Sequence, residues 1–162
     1  MTILQVDEAM AERLAPLVAD FRVALLSYKG IAALPDAEAG KKEILEFLSA
    51  GFPVFAAEEA GRIEGYIVCR IQDGLLWVEQ LFVREDCRRR GVASLLFAKA
   101  EALARSLGED TVFNYVHPNN DGVIRFLRAK GYTVLNLIEI RRPYAGERLS
   151  TTIRVGGNNF DY

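Results

Sequence analysis

Residues 81–100 read LFVREDCRRRGVASLLFAKA: the apolar end of a strand, a polar loop carrying Arg84, Arg88, Arg89 and Arg90, one glycine, then the opening of an amphipathic helix. A strand–loop–helix junction of this kind suits a phosphate group. The first N–H groups of a helix have no intrahelical partner and lie at its partially positive end. Gly91 lets the backbone approach an anion with no Cβ in the way, and guanidinium groups add forked donors. Neither GxxxxGK[ST] nor GxGxxG is present, which removes a Walker loop and a dinucleotide fingerprint. Spacing alone leaves two readings open, a diphosphate site and a solvated basic turn.

Upstream, LLWVEQLFVR at 75–84 is almost continuously apolar, as a strand covered on both faces should be. Before it, PVFAAEE and RIEGYIVCRIQ are separated by Ala60-Gly61 and followed by Asp73-Gly74, the pattern of consecutive hairpins. TILQV at 2–6 opens the chain as a strand. A helix over about residues 8–27 is capped by Asp7, and a second runs from Leu34-Pro35-Asp36 to about Ser49. Downstream, Val92, Leu96, Ala100, Leu103 and Leu107 form one stripe of a helix over 91–107 that Gly108 ends. TVFNYV reads as a strand, Asn119 or Asn120 caps a short helix ending at Gly131, and YTVLNLIEI and LSTTIRV read as two closing strands joined by RRPYAGER. The order β-α-α-β-β-β-α-β-α-β-β predicts an α/β fold. It comprises a mixed, mostly antiparallel twisted sheet of about seven strands, helices on both faces, and a parallel pair at its centre.

The length of 162 residues suits a single domain, 1–162. Two cysteines, Cys69 and Cys87, and the lone His117 are too sparse for a disulfide framework or a zinc site, so no metal is expected. Acids and an Arg stand where a signal peptide would be apolar, and no run approaches a bilayer span, so a cytoplasmic protein without membrane attachment is expected. A net charge of −2 argues against a general nucleic-acid binder.

The run Arg88-Arg89-Arg90-Gly91-Val92-Ala93 resembles the (Q/R)-x-x-G-x-(G/A) signature of GNAT (GCN5-related) N-acetyltransferases, at the place between strand and long helix where that family carries it. NDGVIRFLRAKGY, Asn120 to Tyr132, resembles the family's second motif. The resemblance covers roughly residues 2–142 and implies a central parallel strand pair that splays apart to admit acetyl-CoA. It places Leu81, Phe82 and Val83 against the pantetheine arm and thioester. Arg88, Arg89, Arg90, Gly91, Val92, Ala93 and Ser94 then fall at the pyrophosphate, chiefly through backbone N–H groups, with Asn120 touching the arm and Phe126 packing nearby. It also implies direct attack by a primary amine in a ternary complex. Glu79, a carboxylate interrupting the apolar strand where a kink would open the cleft, is the candidate base, the alternative being a structural carboxylate paired with an arginine or reaching a sheet edge. The family's usual Tyr acid falls on Leu127, leaving water, Tyr115 or Tyr132 to supply the proton. Thiolate is a fair leaving group even without an acid.

On the acceptor side the resemblance places Phe21, Arg22, Tyr28, Arg141, Arg142 and Tyr144, with no choice between small-molecule and protein amines. His117 reads mainly as a loop residue before Pro118. Cys87, among arginines, is expected to have a depressed thiol pKa, and Cys69 a core place. Trp77, Phe82 and Phe97 are expected to pack. A non-catalytic acetyl-CoA sensor or interaction module is the rival reading. The strand LSTTIRV offers an edge for a homodimer.

Overall fold

The structure, a computed structural model, describes residues 1–162. Its backbone forms two compact units, Met1–Phe126 and Leu127–Tyr162.

In the first unit, strand β1 (Thr2–Gln5) leads through a 3-10 turn into helix α1 (Ala11–Ser27), and Asp7 Oδ1 accepts from the Met10 N–H at 3.1 Å. Helix α2 (Ala37–Ser49) is capped by Asp36, whose Oδ1 accepts from the Ala39 N–H at 3.0 Å. The meander β2 (Val54–Glu59), β3 (Arg62–Gln72) and β4 (Leu75–Val83) turns at Ala60-Gly61 and Asp73-Gly74. Helix α3 (Val92–Ser106) follows the arginine loop and returns the chain to β5 (Phe113–Asn114), which precedes helix α4 (Asp121–Ala129). The strand order is β1-β2-β3-β4-β5, antiparallel throughout except for the parallel pair β4–β5.

Alternation along β3 explains why helices cover both faces. Tyr66 and Val68 join Val54, Ala56, Leu14, Val18 and Ile44 in a core closed by α1 and α2. The intervening Ile67 and Cys69 are equally buried, and α3 packs across β2, β3 and β4. Each fully buried large aliphatic side chain contributes about 1.5–3 kcal/mol.

Two departures from the sequence reading concern strands. TVFNYV contributes only Phe113–Asn114 as ladder, because β4 and β5 pair over two residues and then part. In the second unit, YTVLNLIEI carries no regular structure. LSTTIRV does not pair with it: β6 (Thr152–Val155) turns at Gly156-Gly157 and pairs with β7 (Asn158–Asp161). Strand propensity describes a backbone ready to pair, and a ladder also needs a partner at the right register. The seven strands are therefore divided as five and two. No helix is long and apolar enough to cross a membrane.

Candidate active site

Three features of β4 and its surroundings build the site. The first is a bulge. Val68 faces Gln80 and Cys69 faces Val78, so Glu79 is the extra residue on β4, where an unpaired residue bends the strand. The second is divergence. β4 pairs with β5 at Trp77–Phe113 and Val78–Asn114, the Tyr115 N–H still reaches Val78 O at 3.4 Å, and beyond this β4 runs on to Val83 with no strand on that edge. An extended chain can pair there as an added strand would. Leu81, Phe82 and Val83 lie along this stretch.

The third feature is the loop and the start of α3. Gly91 is the residue before the helix, in the left-handed region at φ +85°, and no side chain caps the helix there. The N–H groups of the first turn, Val92 to Ser94, therefore remain available to an anion. Arg89, at φ +65°, shares the left-handed turn and is exposed. The neighbouring arginines have other partners. The Arg88 N–H donates to Glu85 O at 3.3 Å, its Nε donates to Val83 O at 3.3 Å, and its guanidinium lies 5.9 Å from the Phe82 ring. Arg90 is bound to Glu59 at 2.8 Å.

Beneath the loop, buried Cys87 donates to buried Glu64, and burial, followed by the hydrogen bond to Glu64, pushes its thiol up to about 11. The expected depression of this thiol is thus corrected: it is turned inward, onto carboxylates. Glu64, Asp86 and Cys87 do bring three ligand-type atoms within 4.8 Å, but Arg62 already occupies Asp86 at 2.6 Å. Cys69 sits in the core as expected, its thiol pushed to about 12 by burial.

Around the bulge, Glu79 accepts from Arg70 Nε at 2.5 Å, and Arg70 Nη2 donates to the Tyr115 hydroxyl at 3.1 Å. The same guanidinium lies 5.7 Å from the Trp77 ring and 5.9 Å from Tyr115. Trp77 is stacked between Phe113 at 4.7 Å and Tyr115 at 5.0 Å. Glu79 and Tyr115 are thus brought to one guanidinium, whereas Tyr132 belongs to the second unit, where its N–H donates to Leu127 O. Leu127 is buried.

Sequence reasoning missed a second carboxylate. Glu43 of α2 receives Arg22 through both oxygens and Gln80 Nε2 at 2.5 Å, while the buried Tyr66 hydroxyl donates to Gln80 Oε1 at 2.7 Å. Desolvation raises the Tyr66 pKa well above its ordinary value. Glu43 lies among ordinary helix-surface charges and nothing in its neighbours marks it. Gln80 and Arg70, polar within apolar strands, were the available signals.

The cleft mouth joins distant segments. Asn119 Nδ2 donates to Tyr28 O at 2.9 Å, and the Tyr28 and His117 rings stack at 5.3 Å. Desolvation, with Lys29 nearby, lowers the His117 pKa. Asn120 Oδ1 accepts from the Val123 N–H at 3.1 Å and so caps α4; Phe126 meets Phe97 edge-on at 5.6 Å, and Phe21 meets Tyr66 and Phe82. In the second unit, Arg141 is bidentate on Glu147 and its guanidinium lies over Tyr144.

The sheet thus opens between two parallel strands beside an uncapped helix start. The acetyltransferase (GNAT) family profile matches residues 22–132, more than half of the chain. The chain belongs to the GNAT acetyltransferase family.

Among individual proteins, it is 33% identical over 66 residues to GCN5-related N-acetyltransferase 4, chloroplastic, of Arabidopsis thaliana. That is 41% of this chain and 23% of the relative, so the match spans under a quarter of the relative's length. The structure of AAC(6')-Iy with the bisubstrate analog CoA-S-monomethyl-acetylneamine superposes with a TM-score of 0.69 at 21% identity, covering 88% of this chain and 97% of that one. Ribosomal-protein-alanine N-acetyltransferase from Brucella melitensis biovar Abortus 2308 gives 0.67 at 16% identity, covering 89% and 100%. At these identities the two structures speak for the fold.

Proposed function

We propose that residues 1–162 act as one acetyl-CoA-dependent N-acetyltransferase domain that acetylates a primary amine by direct attack in a ternary complex. The observation that carries this reading is the parting of β4 from β5 beyond Val78 and Tyr115, next to the uncapped start of α3. The open edge of Leu81–Val83 receives the pantetheine arm, and Gly91 to Ser94 receive the pyrophosphate. Asn120 touches the arm and Phe126 packs nearby, as the family resemblance implies.

In the reaction the amine nitrogen bonds to the thioester carbonyl carbon, the C–S bond breaks, and CoA leaves as thiolate. A main-chain N–H at Leu81 or Phe82 stabilises the oxyanion, where a pre-aimed donor has its largest effect. Glu79 takes the amine proton directly or through water, and its pairing with Arg70 fixes the carboxylate at the bulge. Tyr115, on the same guanidinium, protonates the thiolate. Positioning supplies most of the acceleration. The relatives name both an acetylneamine conjugate and a ribosomal-protein alanine, so the fold is compatible with acceptors of very different size.

The test is release of free CoA thiol from acetyl-CoA across a panel of amines that includes aminoglycosides, amino-acid amides and N-terminal peptides. Amine-dependent release that falls with Glu79→Gln supports the enzyme. Tight acetyl-CoA binding with no release from any amine favours the sensor reading, to which Leu127 at the family's Tyr position lends its one observation.

A further inference from the structure

Within the first unit, three arginines from three different elements line one cavity of about 290 Å³. Arg13 comes from α1, Arg62 from the start of β3, and Arg84 from the residue just beyond β4. Pro16, Leu17 and Ile63 supply an apolar wall, and no acidic side chain lines the space. None of these residues belongs to the stretch proposed for acetyl-CoA. Three like charges gathered round one space repel, so the arrangement needs anions to balance it.

The balance within the chain is incomplete. Arg13 Nη2 donates to Glu58 at 2.6 Å and to Gly61 O at 3.1 Å, and Arg62 Nη2 donates to Asp86 at 2.6 Å. Each guanidinium carries more N–H donors than these bonds use. Arg84 is the least satisfied. Its Nε is buried with no hydrogen-bond acceptor, the one buried side-chain nitrogen or oxygen so placed. The carboxylate within ion-pair range, Asp86, stands 3.6 Å away and is already held by Arg62. A buried charged donor with no acceptor is costly, and such groups in folded proteins call for a cause.

We propose that this cavity is a second anion site, which takes a phosphate or carboxylate group through Arg13, Arg62 and Arg84. Such a group presents several acceptor oxygens at once, the pattern that guanidinium forks from three directions are built to meet. The volume, near the lower bound of about 300 Å³ for ligand pockets, suits a small anion. Two sources share this chemistry. One is a free phosphate or carboxylate; the other is the 3′-phosphate of CoA, since Arg84 opens the loop that leads to Gly91. The site itself stands independently of the acetyltransferase reading, because the first arm of the test contains no cofactor.

That test is calorimetric titration of inorganic phosphate onto the full chain, with ionic strength held constant by chloride so that screening does not change. The titration is repeated with saturating CoA and with saturating 3′-dephospho-CoA. Without cofactor, phosphate should bind saturably, and Arg84→Gln should weaken it by about tenfold or more. Arg13→Gln, on another element, should weaken it too, and Arg84→Lys should recover only part of the loss because it lacks the fork. Phosphate binding that survives CoA supports the site with a free anion as its source. Binding lost with CoA and kept with 3′-dephospho-CoA supports the site with the cofactor's own phosphate in it. Binding lost with both places the phosphate at the start of α3 and overturns the proposal. No saturable binding at millimolar phosphate, or an affinity unchanged in both Arg84→Gln and Arg13→Gln, overturns it as well.

Discussion

Glu79 earns its place from geometry: it is the extra residue of the bulge, 22% exposed, with its carboxylate on Arg70. Replacing it by Gln keeps the shape and removes the proposed base. Turnover should fall by about a hundredfold or more, the usual scale for a general base, while acetyl-CoA affinity stays unchanged. A kcat within twofold of wild type would assign proton removal to water or to another group. The buried thiols make a separate, pH-dependent prediction. Cys87 and Cys69 ionise in the folded protein only near 11 and 12, above the ordinary thiol value of about 8.5. A folded value above the unfolded one means that the stabilisation is complete below about pH 8.5 and is lost as pH rises toward the folded values. Wild-type protein should therefore lose more stability between pH 8 and 10 than Cys87→Ser, whose hydroxyl does not titrate there. Equal losses in thermal unfolding would contradict the buried, carboxylate-facing thiol.

At the scale of elements, the loop before α3 depends on backbone shape. Gly91 sits at φ +85° with open space around it, so an added Cβ meets no atom and the cost is conformational. Gly91→Ala should destabilise by about 1–2 kcal/mol and weaken acetyl-CoA binding by about tenfold or more. Unchanged affinity would remove this turn from the cofactor site. Gly65 has the opposite constraint. A Cβ there would come within 2.7 Å of Phe82 O, so Gly65→Ala should force β3 from β4 at the stretch proposed to receive the pantetheine arm, which a lowered unfolding temperature together with a raised acetyl-CoA Kd would register.

These elements were largely legible because periodicity reports burial. The α3 stripe, the Asp7 and Asp36 caps and the two tight turns each have a local cause. The interruption of β4 at Glu79-Gln80 also marked the bulge. What stayed hidden depended on partners far along the chain. Residues 133–140 look like a strand and form none, Glu43 reaches Gln80 across 37 positions, and the Cys87 thiol donates to Glu64 across 23.

At the scale of the whole molecule, membership of the GNAT family and the open β4–β5 junction together make acetyl-CoA the co-substrate to test before any acceptor. A ligand that binds only the folded state stabilises it by about 2.7 kcal/mol at a hundredfold excess over Kd. Thermal unfolding with acetyl-CoA, CoA and ATP is therefore the most direct measurement. Acetyl-CoA and CoA should each raise the unfolding temperature by several degrees, ATP should not, and Gly91→Ala should reduce the shift. No shift at millimolar acetyl-CoA would contradict the central claim and leave the arginine loop a basic turn.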